Sequence, residues 1–221
     1  MNNKKTVVSF SGGKDSCLSI YRALSLGYES ASLITTYDKG GDRSWFHGIP
    51  KNLLERVSES IGIPICFMET SIVDDYSKAF EEMLAFFKSQ SISFCVFGDI
   101  DIVDHLKWCQ DRCKAVSVEA VFPLWQENRE SLVKEFINVG FKAIITLVNR
   151  DFLPDIFLGR ELSLDLLDEI KLFGADVCGE NGEYHTFVFD GPIFSRPVDF
   201  NIGNVIEIGK YSALPITDNI V

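Results

Sequence analysis

The stretch SFSGGKDS, Ser9 to Ser16, places two glycines, a lysine and an aspartate between an apolar run and a helix-like run. A glycine-rich turn that opens a helix aims several backbone N–H groups at one point. The helix N-terminus adds partial positive charge, so such a turn suits phosphate. Two common phosphate loops are excluded. A Walker loop needs G-x-x-x-x-G-K-[ST], whereas Asp15 follows Lys14 and the first glycine is missing; G-x-G-x-x-G is absent too. What remains is S-G-G-x-D-S: the Ser11 and Ser16 hydroxyls, the Gly12 and Gly13 amides, Lys14, and Asp15 at the helix start. A carboxylate there either caps the helix or reaches a metal, since it cannot face phosphate directly.

Two further groups could carry chemistry. Asp99, after the apolar run that ends at Gly98, reads either as a helix cap or as a second metal-directed carboxylate. The segment Gly179 to Glu183 carries Glu180 and Glu183 on a glycine-flanked loop that suits a cationic or amine-bearing ligand, or forms a plain Gly/Asn turn. His185 stands beside that loop, His47 lies in a loop expected to face the phosphate site or to pack, and His105 reads as a surface or capping residue. Trp45, Phe46, Trp125 and Tyr184 offer aromatic faces for a cation or for the core. Cys109 and Cys113 stand one helical turn apart, but the further ligands a zinc site needs are not evident.

The elements that must position these groups alternate. Strands are expected at residues 6–10, 31–36, 65–69, 93–98 and 120–122, with helices at 15–26, 51–61, 74–90 and 103–115 between them. This rhythm predicts an α/β, Rossmann-like, mainly parallel sheet with helices on both faces, binding its ligand at the carboxyl ends of the strands. From about residue 128 the pattern changes: a helix at 129–139, a strand at 143–148, a short helix at 164–172, then glycine- and aromatic-rich β segments. The expected organisation is a domain of residues 1–127 that holds the phosphate loop, and a smaller α+β domain of residues 128–221.

The chain has 221 residues, 46% hydrophobic and 24% charged, which is enough to bury a core. A net charge of −11 repels a phosphodiester backbone, and no basic stripe offsets it, so nucleic acid is disfavoured as a partner. The apolar run after MNNKK is too short for a secretory segment, no stretch approaches membrane-spanning length, and the six cysteines are scattered. A cytoplasmic protein with reduced thiols and no membrane partner is expected.

SGGKDS, set between strand and helix, resembles the loop of the PP-loop ATP pyrophosphatases, in which it grips the pyrophosphate released when ATP is cleaved between its α and β phosphates. Phe97-Gly98-Asp99-Ile100, Phe122-Pro123-Leu124-Trp125, Gly140 to Ile145, Leu158-Gly159-Arg160-Glu161-Leu162 and Asp176-Val177-Cys178-Gly179-Glu180-Asn181-Gly182-Glu183-Tyr184 resemble the diphthine-ammonia ligases, in order along the chain. The stretch Tyr37 to His47 resembles the subgroup of that family outside the diphthamide pathway. The family's last block usually reads GEGGEYET; here Asn181 and His185 replace a glycine and a glutamate.

The resemblance implies a HUP/PP-loop fold and an AMP-forming amide ligase. ATP would adenylate a carboxylate acceptor, diphthine on elongation factor 2 if the usual activity is kept, and ammonia would then displace AMP. It implies ATP and Mg2+ as cofactors, with Ser9, Ser11, Gly12, Gly13, Lys14, Asp15, Ser16, His47 and Gly98 at the nucleotide. Asp15 and Asp99 would hold the metal. Lys14, Asp15, Asp99, Glu180 and Glu183 would act in catalysis, and Trp125, Asn181, Tyr184 and His185 at the acceptor. Two other readings remain: a sulfur-inserting tRNA modifier on the same loop, and a sensor that binds adenine nucleotide without chemistry.

Overall fold

A computed structural model describes residues 4–38, 44, 48–70 and 73–218. The first five strands are β1 (Lys4–Ser9), β2 (Tyr28–Asp38), β3 (Ile65–Thr70), β4 (Phe94–Val96) and β5 (Glu119–Val121). They alternate with helices α1 (Lys14–Ser25), α2 (Lys51–Ile61), α3 (Val73–Ser89) and α4 (Val103–Ala115). The strands form one parallel sheet in the order β3-β2-β1-β4-β5. Thr6, Val7 and Val8 of the central β1 are all buried, because a parallel strand covered on both faces reads as a continuous apolar run rather than an alternating one.

Val7, Ile34, Met68, Cys95 and Phe97 pack with Phe80, Leu84 and Phe87 of α3 and with Cys109 and Cys113 of α4. Val8 points to the opposite face, and α1 buries Cys17, Leu18, Ile20 and Ala23. The fold is α/β and Rossmann-like, with helices on both faces of the sheet. The chain runs outward from β1 to β3 and then returns past β1 to β4, so the order reverses between β1 and β4. In open α/β sheets the crevice at that reversal is where ligands bind.

The later elements are α5 (Arg129–Asn138), β6 (Lys142–Asn149), a 3-10 turn (Asp155–Phe157), α6 (Leu164–Leu172), β7 (Tyr184–Asp190), β8 (Phe200–Ile202), β9 (Ile206–Ile208), β10 (Tyr211–Ala213) and β11 (Ile216–Asp218). An antiparallel sheet has the order β7-β6-β10-β9, and β11 pairs with β8 in a ribbon. Asn128 caps α5 by accepting from the Ser131 N–H at 3.0 Å, and Ser163 caps α6 through the Leu166 N–H.

The chain forms two compact units. The first holds the parallel sheet with α3, α4 and all but the first residue of α1. The second holds the antiparallel sheet, the ribbon, α2, α5, α6 and the three loop residues Gly12–Lys14. Among the described residues no helix is long and apolar enough to cross a membrane.

Candidate active site

In the first unit the loop after β1 starts late. Phe10 still pairs with β2, its N–H donating to the Ile34 carbonyl at 2.8 Å and its carbonyl accepting from Thr35 Oγ1 at 2.6 Å. Ser9, at the strand end, and Ser11, in the loop, are half-buried, and Ser16 is buried; the Ser11 and Ser16 hydroxyls lie 3.3 Å apart. The β4 end meets this turn closely. A Cβ built on Gly98 would lie 3.0 Å from both the carbonyl carbon and oxygen of Asp15 and 3.1 Å from the Ser16 nitrogen. Any larger residue would push the first turn of α1 back by a few tenths of an ångström, so glycine lets that turn and the end of β4 approach this closely at the reversal of strand order.

Asp99 follows directly. The N-cap of α4 is Ile102, which makes no side-chain cap bond, so the geometry leaves Asp99 out of the cap. Its Oδ1 lies 3.4 Å from His105 Nδ1, and its Oδ2 accepts weakly from the Cys109 thiol at 3.8 Å. Burial pushes the Asp99 carboxyl above the usual range. His105 and the thiol oppose that shift, while the charge of Asp15 adds to it. The negative charge of Asp15 therefore acts on Asp99 across the reversal point, and carboxylate and hydroxyl oxygens such as those of Asp15, Asp99 and Ser16 are of the hard type that magnesium takes. Trp125, in the same unit, is half-buried and packs edge-on to Phe122, with ring centroids 6.1 Å apart.

In the second unit the loop glycines are tied to β7. The Gly12 carbonyl accepts from the Val188 N–H at 3.0 Å, and the Lys14 N–H donates to Thr186 Oγ1 at 3.1 Å. Gly12 has φ +79°, and a Cβ there would touch Ile49 at 2.8 Å and Leu54 at 2.9 Å; Gly13 is buried beside it. The Lys14 ammonium, on a side chain only 7% exposed, stands 3.9 Å from Glu180 Oε1 and 5.8 Å from the centre of the Tyr184 ring. His185 neighbours it. Burial, and then the charge of Lys14, lowers the imidazole pKa to about 4, which keeps it neutral at physiological pH.

The Gly179–Glu183 segment is wired to itself. Glu183 is 2% exposed, and its carboxylate accepts from the Asp176 N–H at 3.2 Å, the Asn181 N–H at 2.9 Å and Asn181 Nδ2 at 3.0 Å. Asp176 in turn accepts from the Cys178 N–H at 2.9 Å, an Asx turn, and from Arg129, which also donates to Asn181 Oδ1 at 3.2 Å. Gly179 and Gly182 supply the left-handed conformations at φ +74° and +82°. The Tyr184 hydroxyl donates to the Val177 carbonyl.

The second unit thus brings Lys14, Glu180, Tyr184 and His185 together, and it turns Glu183 inward and Asn181 toward Arg129. Arg129 and Thr186, and the part that Asp176 plays in the loop, escape sequence reasoning. Asp three residues before a glycine hints at the Asx turn, but nothing local announces that Arg129, at the start of a helix, reaches Asp176 and Asn181. His47, Trp45 and Phe46 lie outside the described residues.

Comparison with known proteins covers most of the chain. Residues 4–120 match the family model of the diphthamide synthase N-terminal domain, and residues 128–211 that of the diphthamide synthase C-terminal domain. Three relatives are named diphthine–ammonia ligase. The Rattus norvegicus protein is 27% identical over 213 residues, covering 85% of this chain and 79% of its own. That of Bos taurus is 26% identical over 231 residues, covering 93% and 86%. That of Homo sapiens is 25% identical over 221 residues, covering 89% and 82%. A solved structure described as a predicted subunit of a tRNA methyltransferase from Methanocaldococcus jannaschii is 20% identical, covers 83% of this chain and 96% of its own, and superposes with a TM-score of 0.46, too slight a likeness to carry an argument. With both halves matched in order, by family models that together span most of its length, the chain belongs to the diphthamide synthase family.

Proposed function

We propose that the protein is an AMP-forming, ATP-dependent amide ligase that acts in the cytoplasm. A carboxylate is a poor acyl donor because its leaving group would be oxide. Attack of its oxygen on the α-phosphorus of ATP breaks the bond to the bridging oxygen and releases pyrophosphate. Ammonia then adds to the acyl carbon of the resulting adenylate, AMP leaves with the C–O bonding pair, and nitrogen loses a proton. The task is positioning and charge stabilisation rather than covalent catalysis.

In this reading the amides of Gly12, Gly13 and the first turn of α1, with Ser9, Ser11, Ser16 and Lys14, hold the pyrophosphate portion of ATP, and Gly98 allows the nucleotide loop to sit against β4. Asp15 and Asp99 would hold Mg2+, which screens phosphate charge when bound. Glu180 attracts ammonium or an amine-bearing acceptor. Trp125, Tyr184 and His185 belong to the acceptor, and Glu183 and Asn181 shape the loop beside it. The observation that carries the reading is the seat of Gly98 on Asp15 and Ser16, which brings a phosphate-type turn and a half-buried carboxylate, Asp99, to the reversal of strand order.

The names of the relatives favour diphthine as acceptor and ammonia as nitrogen donor. Asn181 and His185, where the family pattern has glycine and glutamate, favour a different carboxylate. The deciding experiment follows ATP with ammonium and a panel of carboxylates that includes diphthine-bearing elongation factor 2. AMP and pyrophosphate as products support the reading, and ADP as the main product overturns it. Binding of ATP without turnover under every condition would favour the sensor.

A further inference from the structure

We propose that Glu180 is an internal counter-ion that occupies Lys14 until polyphosphate displaces it, and that Asn181 and Glu183 are positioning residues that hold it there. The inference rests on the reading of Lys14 as a phosphate-binding group. A buried ammonium needs a counter-charge, because an unpaired charge out of water is costly. Lys14 is 6% exposed, and His185 beside it stays neutral, so the imidazole supplies no charge of either sign. Glu180 Oε1, at 3.9 Å, brings a negative charge to it.

The carboxylate reaches that place because its loop is fixed on both sides. Gly182 N–H donates to the Gly179 carbonyl at 3.2 Å, closing a turn around Glu180 and Asn181. Glu183 accepts both the backbone and the side-chain N–H of Asn181, and Arg129 grips the Asn181 carbonyl oxygen from the other side. Asn181 is therefore pinned through three of its groups, and the residue before it has little freedom. When a polyphosphate arrives at Lys14, two anions compete for one ammonium. The glutamate must yield, and it is then free to face an ammonium or amine. The loop thus couples nucleotide binding to exposure of the amine-attracting charge.

Calorimetric titration with inorganic pyrophosphate at fixed magnesium tests this in the intact protein, with thermal melting to show that each variant folds. Glu180→Gln removes the competing charge at constant size, so pyrophosphate should bind about 3–10-fold tighter. Asn181→Gly deletes the side-chain clamp and should tighten binding about 2–3-fold. In the Glu180→Gln background the same change should add nothing, since Asn181 acts through Glu180.

A purely structural role for the loop would weaken binding or leave it unaltered, never strengthen it. Unchanged or weaker binding by Glu180→Gln, or a further gain from Asn181→Gly in its presence, overturns the proposal while Lys14→Met still abolishes binding. If Lys14→Met binds as the parent does, or no form of the protein binds pyrophosphate, the reading of the phosphate loop itself fails.

Discussion

Gly98→Ala tests the close approach on which the proposed nucleotide site depends. Gly98 does not have a positive φ, so alanine brings no backbone strain there. The added Cβ would sit 3.0 Å from the Asp15 carbon and oxygen and 3.1 Å from the Ser16 nitrogen, against ordinary contact at 3.4 Å or more, so the turn must retreat by about 0.4 Å. All three neighbours are backbone, and no rotamer change relieves them. Gly12 differs, because the atoms its Cβ would meet are the tips of Ile49 and Leu54. Overpacking of this kind costs about 1–3 kcal/mol. Restricting the unfolded chain returns about 0.4–1 kcal/mol, which leaves a net loss of about 1–2 kcal/mol. For a chain of this length that is a melting temperature lower by about 2–8 °C.

The effect on binding should be larger in proportion. Displacing the first turn of α1 misaligns N–H donors whose charge-assisted bonds to phosphate are worth about 1.5–3 kcal/mol each, so loss of one weakens ATP binding by about 10–100-fold. Differential scanning calorimetry and calorimetric titration with ATP read the two quantities separately. Parent-like melting together with parent-like affinity would refute the packing argument. A lowered melting temperature with unchanged affinity would keep the packing and remove the turn from the nucleotide site.

Other outcomes follow from particular groups. His185 has a folded pKa of about 4 against 6.5 in the unfolded chain, so between those values the unfolded state binds more protons. Stability should therefore rise with pH across that window, by up to about 3 kcal/mol, and His185→Gln should flatten the rise in urea midpoint. Glu183→Gln, which leaves three N–H donors facing a neutral amide, should lower stability by about 1–3 kcal/mol, read as a shift in the same midpoint. If Asp99 holds magnesium as proposed, Asp99→Asn should raise the magnesium concentration needed for half-maximal ATP cleavage at least about tenfold, because one of the two proposed carboxylate donors loses its charge. In the native protein a thiol reagent should modify Cys66 first. Cys17, Cys95, Cys109, Cys113 and Cys178 are buried, and burial pushes the first three of those thiols well above their ordinary pKa. Rapid modification of two or more thiols without unfolding would favour the sulfur-inserting reading instead.

The sequence by itself determined the strand–helix alternation and the order of elements as far as α6, and marked β7 to β11 only as unplaced β segments. Apolar runs of five or six residues alternating with helical spacing can be satisfied only by strands and helices in turn, and glycine, serine and asparagine mark their ends by local backbone preference alone. Thus Lys51–Ile61 and Val103–Ala115 are helices in the structure as their periodicity predicts. The turn SGGKDS is legible for the same reason, since its glycines and the helix start that follows are neighbours in the chain.

What only the tertiary structure decided are the relations between distant residues. Asp99 reads as a candidate α4 cap in the sequence, and only the structure shows that the cap is Ile102 and that the Asp99 carboxylate lies toward His105 and Cys109. Glu180 and Glu183 are alike in sequence, but one faces Lys14 and the other is consumed by three donors of its own loop. The difference comes from Asp176 and Asn181 closing around Glu183, and from β7 drawing Lys14 in through Thr186. Such assignments depend on where a chain folds back on itself, and a carboxylate's role follows from which N–H groups or ammonium that folding brings within about 3–4 Å of it.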